Sequence, residues 1–125
     1  MVSNYIYFNS RDELLRIDLK RVAYFEADGN YTKIVSINGL SSMVLLNLGK
    51  MEAFISLRSK EENRMFARIG KRFIVNLSFI YSLNLLKQEL ILSDQRFFTE
   101  KISISKDALK KLKELLSPSI AKNEE

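Results

Sequence analysis

The chain has 125 residues, 46% of them hydrophobic and 28% charged, with 20 basic against 15 acidic side chains and no histidine, cysteine or tryptophan. This length suits one core and no more than one domain, and the missing residue types exclude zinc fingers, haem ligation, thiol chemistry, disulfides and any Ser-His-Asp or Cys-His nucleophile. The net charge of +5 favours a polyanionic partner, either nucleic acid or an anionic membrane surface.

Most of the chain reads as short strands. Tyr5–Phe8 is a brief apolar run, and Leu15, Ile17 and Leu19 alternate with Arg16 and Asp18 as in a half-buried strand. VAYFEA (22–27) meets Asp28-Gly29, the strongest short turn signal in the chain, and the β-branched run YTKIVSI (31–37) returns from it. Met43–Leu46 reads as another strand. A first helix follows, with Asn47 as its N-cap and Leu48, Met51, Phe54 and Ile55 on one face. Gly49 weakens this helix by up to about 1 kcal/mol, so it should be short and held by packing. MFARIG, RFIVN and FIYSLNLL supply one or two apolar strands, and ELILSD with RFFTEKISIS forms a hairpin around Asp94-Gln95. The second helix starts at a Ser105 cap, carries Asp107 in its first turn and ends before Pro118. Ala108, Leu109, Leu112, Leu115 and Leu116 fall within roughly 120° of a helical wheel, opposite Lys106, Lys110 and Lys113. The expected architecture is one mainly β domain over residues 1–117 with two short helices, followed by a polar tail at 118–125.

No apolar run approaches the roughly 20 residues that span a bilayer, and the N-terminal segment has no basic leader. With no cysteine to oxidise, the expected location is the cytoplasm, away from membranes.

The charge is unevenly spread. Residues 1–62 hold eight basic and eight acidic side chains, whereas residues 63–125 hold twelve and seven, which supplies the whole excess. RMFARIGKR (64–72) and KDALKKLK (106–113) each contain four basic residues. Each reads either as a solvated face or as a polyanion-binding segment.

Chemistry finds little support. Glu26 and Asp28 flank a turn and are accounted for by turn formation as well as by acid–base work. No calcium loop and no phosphate-cradling glycine pattern is present, so neither a catalytic residue, a metal nor a cofactor is expected. Binding is better provided for: Lys and Arg neutralise phosphates, and Asn, Lys and Arg at loop tips can read base edges. Asn30 lies on the DG turn, Lys71 and Arg72 follow Gly70, and Lys106 opens a helix. No two helices are joined by a short turn, so DNA would be met by loops on a β scaffold.

VAYFEADGNYTKI (22–34), the helix around LGKMEAFI, FARIGKRFIVNLSFI (66–80) and ISISKDALKKLKELL (102–116) resemble, in order, the successive motifs of the LytTR family, the bacterial DNA-binding output domains of LytR/AlgR type. The resemblance covers residues 3 to 116. It implies an elongated, mainly antiparallel β-sheet fold with two short α-helices, and a sequence-specific transcriptional regulator of double-stranded DNA. Family members bind direct-repeat promoter sites through loops in successive major grooves, so two copies would sit on one site. An upstream receiver or sensor protein would control them, and the chain would be either an excised output domain or a stand-alone regulator. Carried over by position, Asn30, Tyr31, Thr32 and Lys33 lie near one groove, Lys71 and Arg72 near DNA, and Ser105 and Lys106 near the other groove. Arg68 reads equally as a phosphate contact and as a solvated side chain, Tyr31 equally as a contact and as a packed strand aromatic, and Asn76 and Phe73 as structural. Gly70 stands where many relatives have His, and Ile102 and Lys106 stand where relatives often have Pro and Arg. A lysine lacks arginine's bidentate fork, which loosens readout there. Two other readings remain: a protein-interaction module using an exposed sheet edge, and single-stranded nucleic acid binding through stacked aromatics.

Overall fold

A computed structural model describes residues 5–58 and 65–117. Arg64 and the expected tail 118–125 lie outside the described residues. The elements run β1 (Tyr5–Asn9), β2 (Leu14–Asp18), β3 (Val22–Asp28), β4 (Tyr31–Ser36), β5 (Ser41–Val44), α1 (Leu48–Arg58), β6 (Phe66–Ile69), β7 (Phe73–Asn76), β8 (Ile80–Asn84), β9 (Glu89–Ser93), β10 (Thr99–Ser103) and α2 (Lys106–Leu115). They form three antiparallel sheets: β1-β2, a central β5-β4-β3-β7-β6, and β10-β9-β8.

The central sheet is covered on both faces. On one side Phe25, Ile34 and Ile74 pack with Ile6 and Ile17 of the β1-β2 hairpin and with Leu48, Met51 and Ile55 of α1. On the other, Tyr24, Val35, Phe73 and Val75 pack with Leu90, Leu92 and Ile102 of the three-stranded sheet and with Leu109 and Leu112 of α2. Two-sided burial explains why VAYF and FIV are continuous apolar runs, where a half-buried strand would alternate. Within β3, Ala23 and Tyr24 both join the second cluster, because the register shifts between Val22 and Tyr24 and a bulge turns successive side chains the same way.

Asn76 secures that bulge. It is fully buried. Its Nδ2 donates to the Val22 carbonyl at 2.8 Å and its Oδ1 accepts from the Ser78 N–H at 2.9 Å. The β3–β7 pairing runs only from Tyr24–Glu26 against Phe73–Val75, so the side-chain amide extends the ladder past its last backbone rung. The structural reading of Asn76 and of buried Phe73 holds.

The helix caps are the expected ones: Asn47 Oδ1 accepts from the Lys50 N–H at 2.9 Å and Ser105 Oγ from the Ala108 N–H at 3.3 Å. The β9–β10 hairpin turns at Asp94, whose Oδ1 accepts from the N–H groups of Arg96, Phe97 and Phe98. Three expectations need correction. Residues 66–84 form three strands, β6, β7 and β8, because a turn at Gly70 and a 3-10 turn at Leu77–Phe79 divide the apolar run. The fifth strand is Ser41–Val44 and ends before Leu45, since the chain must leave the sheet to enter α1. Leu115 is exposed, because α2 buries only a narrow stripe around Leu109 and Leu112.

Candidate nucleic-acid interface

Three of the segments singled out in the sequence meet at one end of the central sheet. The β3–β4 hairpin closes with Asp28 opposite Tyr31, leaving a two-residue loop, Gly29-Asn30. Gly29 has φ +61°, the left-handed region that such tight hairpins require. The β6–β7 hairpin closes with Ile69 opposite Phe73, leaving Gly70, Lys71 and Arg72, and Gly70 takes φ +64°. Ala27 N–H donates to the Arg72 carbonyl at 2.8 Å, which fastens the second turn beside the first. The start of α2 closes the group: a Cβ built on Gly70 would lie 3.7 Å from the Ala108 methyl.

Asn30, Tyr31, Lys71, Arg72, Ser105 and Lys106 are all exposed at this end, and Lys33 is half-buried opposite Glu26 on one side and Met43 on the other. Thr32 is a correction. Its side chain is 0% exposed and its hydroxyl donates to the Leu46 carbonyl at 2.6 Å, so it ties β4 to the chain entering α1 and offers nothing to a ligand. Strand alternation accounts for this: Thr32 and Ile34 face α1, and Tyr31 and Lys33 face away. The same bond brings the first turn of α1 to this end and adds exposed Lys50, which sequence reasoning passed over.

The two arginines are engaged. Arg72 Nη2 lies 2.6 Å from Glu26 Oε2, with the guanidinium 5.3 Å from the centre of the Phe73 ring. Arg68 Nη1 donates to Glu52 Oε1 at 2.8 Å, Nε to the Gly70 carbonyl at 3.2 Å and Nη2 to the Lys71 carbonyl at 3.0 Å. Among the described residues, Lys33, Lys71 and Lys106 make no ion pair within 4 Å. Lys71 and Lys106 therefore present whole positive charges, whereas Arg68 and Arg72 are partly neutralised. Glu26 and Glu52 lie 46 and 16 residues from their arginines, a pairing that no local sequence signal reports.

An end of this kind suits a polyanion. Lysine ammonium groups supply charge, and the Asn30 amide and Ser105 hydroxyl supply donors and acceptors. Among the described residues no group of three or more acidic side chains is placed to hold a metal ion.

The model of the LytTr DNA-binding domain matches residues 12–117. The chain belongs to the LytTR family. Among solved structures, this LytTR domain is similar to a LytTr DNA-binding domain from Bacillus cereus, with a TM-score of 0.66 and 19% identity, covering 91% of this chain and 97% of that one. No curated protein matches. LytTR domains are DNA-binding domains of transcription regulators and not a family of enzymes. Among the described residues, no helix is long and apolar enough to cross a membrane.

Proposed function

We propose that this LytTR domain binds double-stranded promoter DNA sequence-specifically, with its turn-bearing end inserted into successive major grooves of a direct repeat. The observation that carries the reading is the convergence of the Gly29-Asn30 loop, the Gly70–Arg72 turn and the start of α2. Asn30, Tyr31 and Lys33 serve one groove, Ser105 and Lys106 the other, and Lys71 and Arg72 the backbone between them. Pairing of two copies on adjacent repeats, control by an upstream receiver or sensor and a cytoplasmic location belong to the same reading.

Lys71 gives the direct test. If its ammonium neutralises one phosphate, Lys71→Ala lowers affinity for all duplexes alike and reduces the slope of log K against log salt by about 0.9. A wild-type titration that detects no duplex binding at low salt refutes the proposal. One observation favours a second reading, an edge-strand protein-interaction module: β5 forms an edge of the central sheet, and Leu40, Met43 and Leu45 are exposed along it. A protein partner captured equally well by wild type and by Lys71→Ala would support that alternative.

A further inference from the structure

We infer that Glu52 and Arg68 act as one positioning device, which holds Lys71 in the attitude needed to meet DNA although neither residue touches the nucleic acid. The inference rests on the DNA-binding reading above and concerns how its basic turn is built. The Arg68 guanidinium spans two consecutive carbonyls, those of Gly70 and Lys71. These carbonyls belong to the two peptide planes on either side of the Lys71 Cα. Because each plane is rigid, pinning both sets φ and ψ of Lys71 and with them the direction of its side chain. The third contact, Nη1 to Glu52 Oε1 at 2.8 Å, anchors the guanidinium to α1.

The surroundings leave little room for the turn to drift. Gly70 takes a backbone conformation that only glycine adopts freely and lies against Ala108 of α2. The Arg72 carbonyl accepts from Ala27 of β3. The turn is thus bounded by α1, α2 and β3, and among the described residues Arg68 is the side chain that spans its middle. Arg68 is an exposed residue, but its side chain is 29% exposed and donates to three protein acceptors, which suits a strut better than a phosphate ligand. Fixing a binding loop beforehand removes an ordering cost that would otherwise be met on binding.

The charge of Glu52 makes the inference sharp. A carboxylate beside a polyanion site that did nothing else would oppose binding, so its removal would tighten the complex. A positioning role predicts the reverse. The experiment compares wild type, Glu52→Gln, Arg68→Lys and Lys71→Ala by titration with one duplex over a range of salt, alongside NMR order parameters of the Gly70, Lys71 and Arg72 amides. Expected are an affinity loss of roughly three- to thirtyfold for Glu52→Gln, lower order parameters at the three amides, no rescue by Arg68→Lys and an unchanged salt slope for both variants. In the Lys71→Ala background, Glu52→Gln should add almost nothing. Tighter or unchanged binding by Glu52→Gln overturns the inference, as does near-wild-type binding by Arg68→Lys, which would mark Arg68 as a direct phosphate contact. Glu52→Gln keeps the Arg68 side chain and weakens only the charge that anchors its guanidinium over the two carbonyls, so the test stays open should changes at Arg68 impair folding. Wild type that binds no duplex would refute the DNA reading itself, whereas tight wild-type binding with a tighter Glu52→Gln refutes only the clamp.

Discussion

Replacing Asn76 should unsettle the centre of the domain, and the geometry says by how much. Asn76→Ala deletes the donor to the Val22 carbonyl and the acceptor for the Ser78 N–H. Ser78 is exposed and water can replace its lost partner, but Val22 is wholly buried, so its carbonyl is left bare. A stranded buried acceptor costs about 1–3 kcal/mol, and the space vacated by the amide adds about 1 kcal/mol. The expected loss of about 2–4 kcal/mol is a large part of the roughly 5–15 kcal/mol that holds a domain together. Urea unfolding followed by circular dichroism should show the midpoint lowered by roughly 1–2 M. Asn76→Asp sharpens the test. Its carboxylate can still accept from Ser78 but cannot donate to Val22 unless protonated, so burial should raise its pKa in the folded state. A raised folded pKa means that the neutral acid supports the fold below the ordinary aspartate value near 4 and that this support is lost as pH rises through the raised value. The deficit against wild type should therefore be larger at neutral pH than at pH 4. If Asn76→Ala stays within about 0.5 kcal/mol of wild type, or the Asn76→Asp deficit does not change with pH, the side-chain rung is not what secures the bulge.

Two further outcomes follow from groups away from the turn-bearing end. Tyr24, buried in the central sheet, donates its hydroxyl to Glu100 of β10; Tyr24→Phe should cost about 1–2 kcal/mol by cutting this tie between the sheets. Burial first, and then the bond to Glu100, push the Tyr24 hydroxyl well above the usual tyrosine range. The protonated form thus stabilises the fold below about pH 10 and this contribution is lost as pH rises through the raised value. In an alkaline titration of phenolate absorbance, one of the five tyrosines should ionise late and vanish in Tyr24→Phe; five tyrosines titrating together would contradict the burial argument. At the β9–β10 tip, N–H donation from Phe98 and Arg96, helped by Phe97, holds the Asp94 carboxyl below the usual carboxylate range. Its support of the hairpin is therefore present above about pH 4 and lost as pH falls through the lowered value. Asp94→Ala should speed amide exchange at Arg96, Phe97 and Phe98, and unchanged protection there would show that the turn needs no carboxylate.

What could be read from the chain was whatever neighbouring residues decide among themselves. The Asp28-Gly29-Asn30 turn, the Asn47 and Ser105 caps and the Asp94 hairpin each rest on bonds spanning four residues or fewer, so composition within a short window is enough. The division of residues 66–84 was harder. FIVNLSFIYSLNLL contains neither Gly nor Pro, and its break at Leu77–Phe79 depends on Asn76 capping a 3-10 turn while reaching across to β3. Thr32 was legible in principle, since alternation from exposed Tyr31 sends it inward, but its β-branched polar side chain gave no sign of which face the sheet would bury.

The sequence by itself determined the mainly β class, the two capped helices, the concentration of positive charge after residue 62 and the family to which these motifs belong. Only the tertiary structure decided which of the cations are available. Arg68 and Lys71 stand three residues apart in one basic run, yet Arg68 is paired within the protein and Lys71 is an open charge, because Glu52 and Glu26 arrive from α1 and β3 to engage Arg68 and Arg72. Coulomb attraction and hydrogen bonding act over a few ångströms of space and take no account of separation along the chain. A basic cluster in a sequence therefore announces a charged surface, while folding selects the charges that remain to bind.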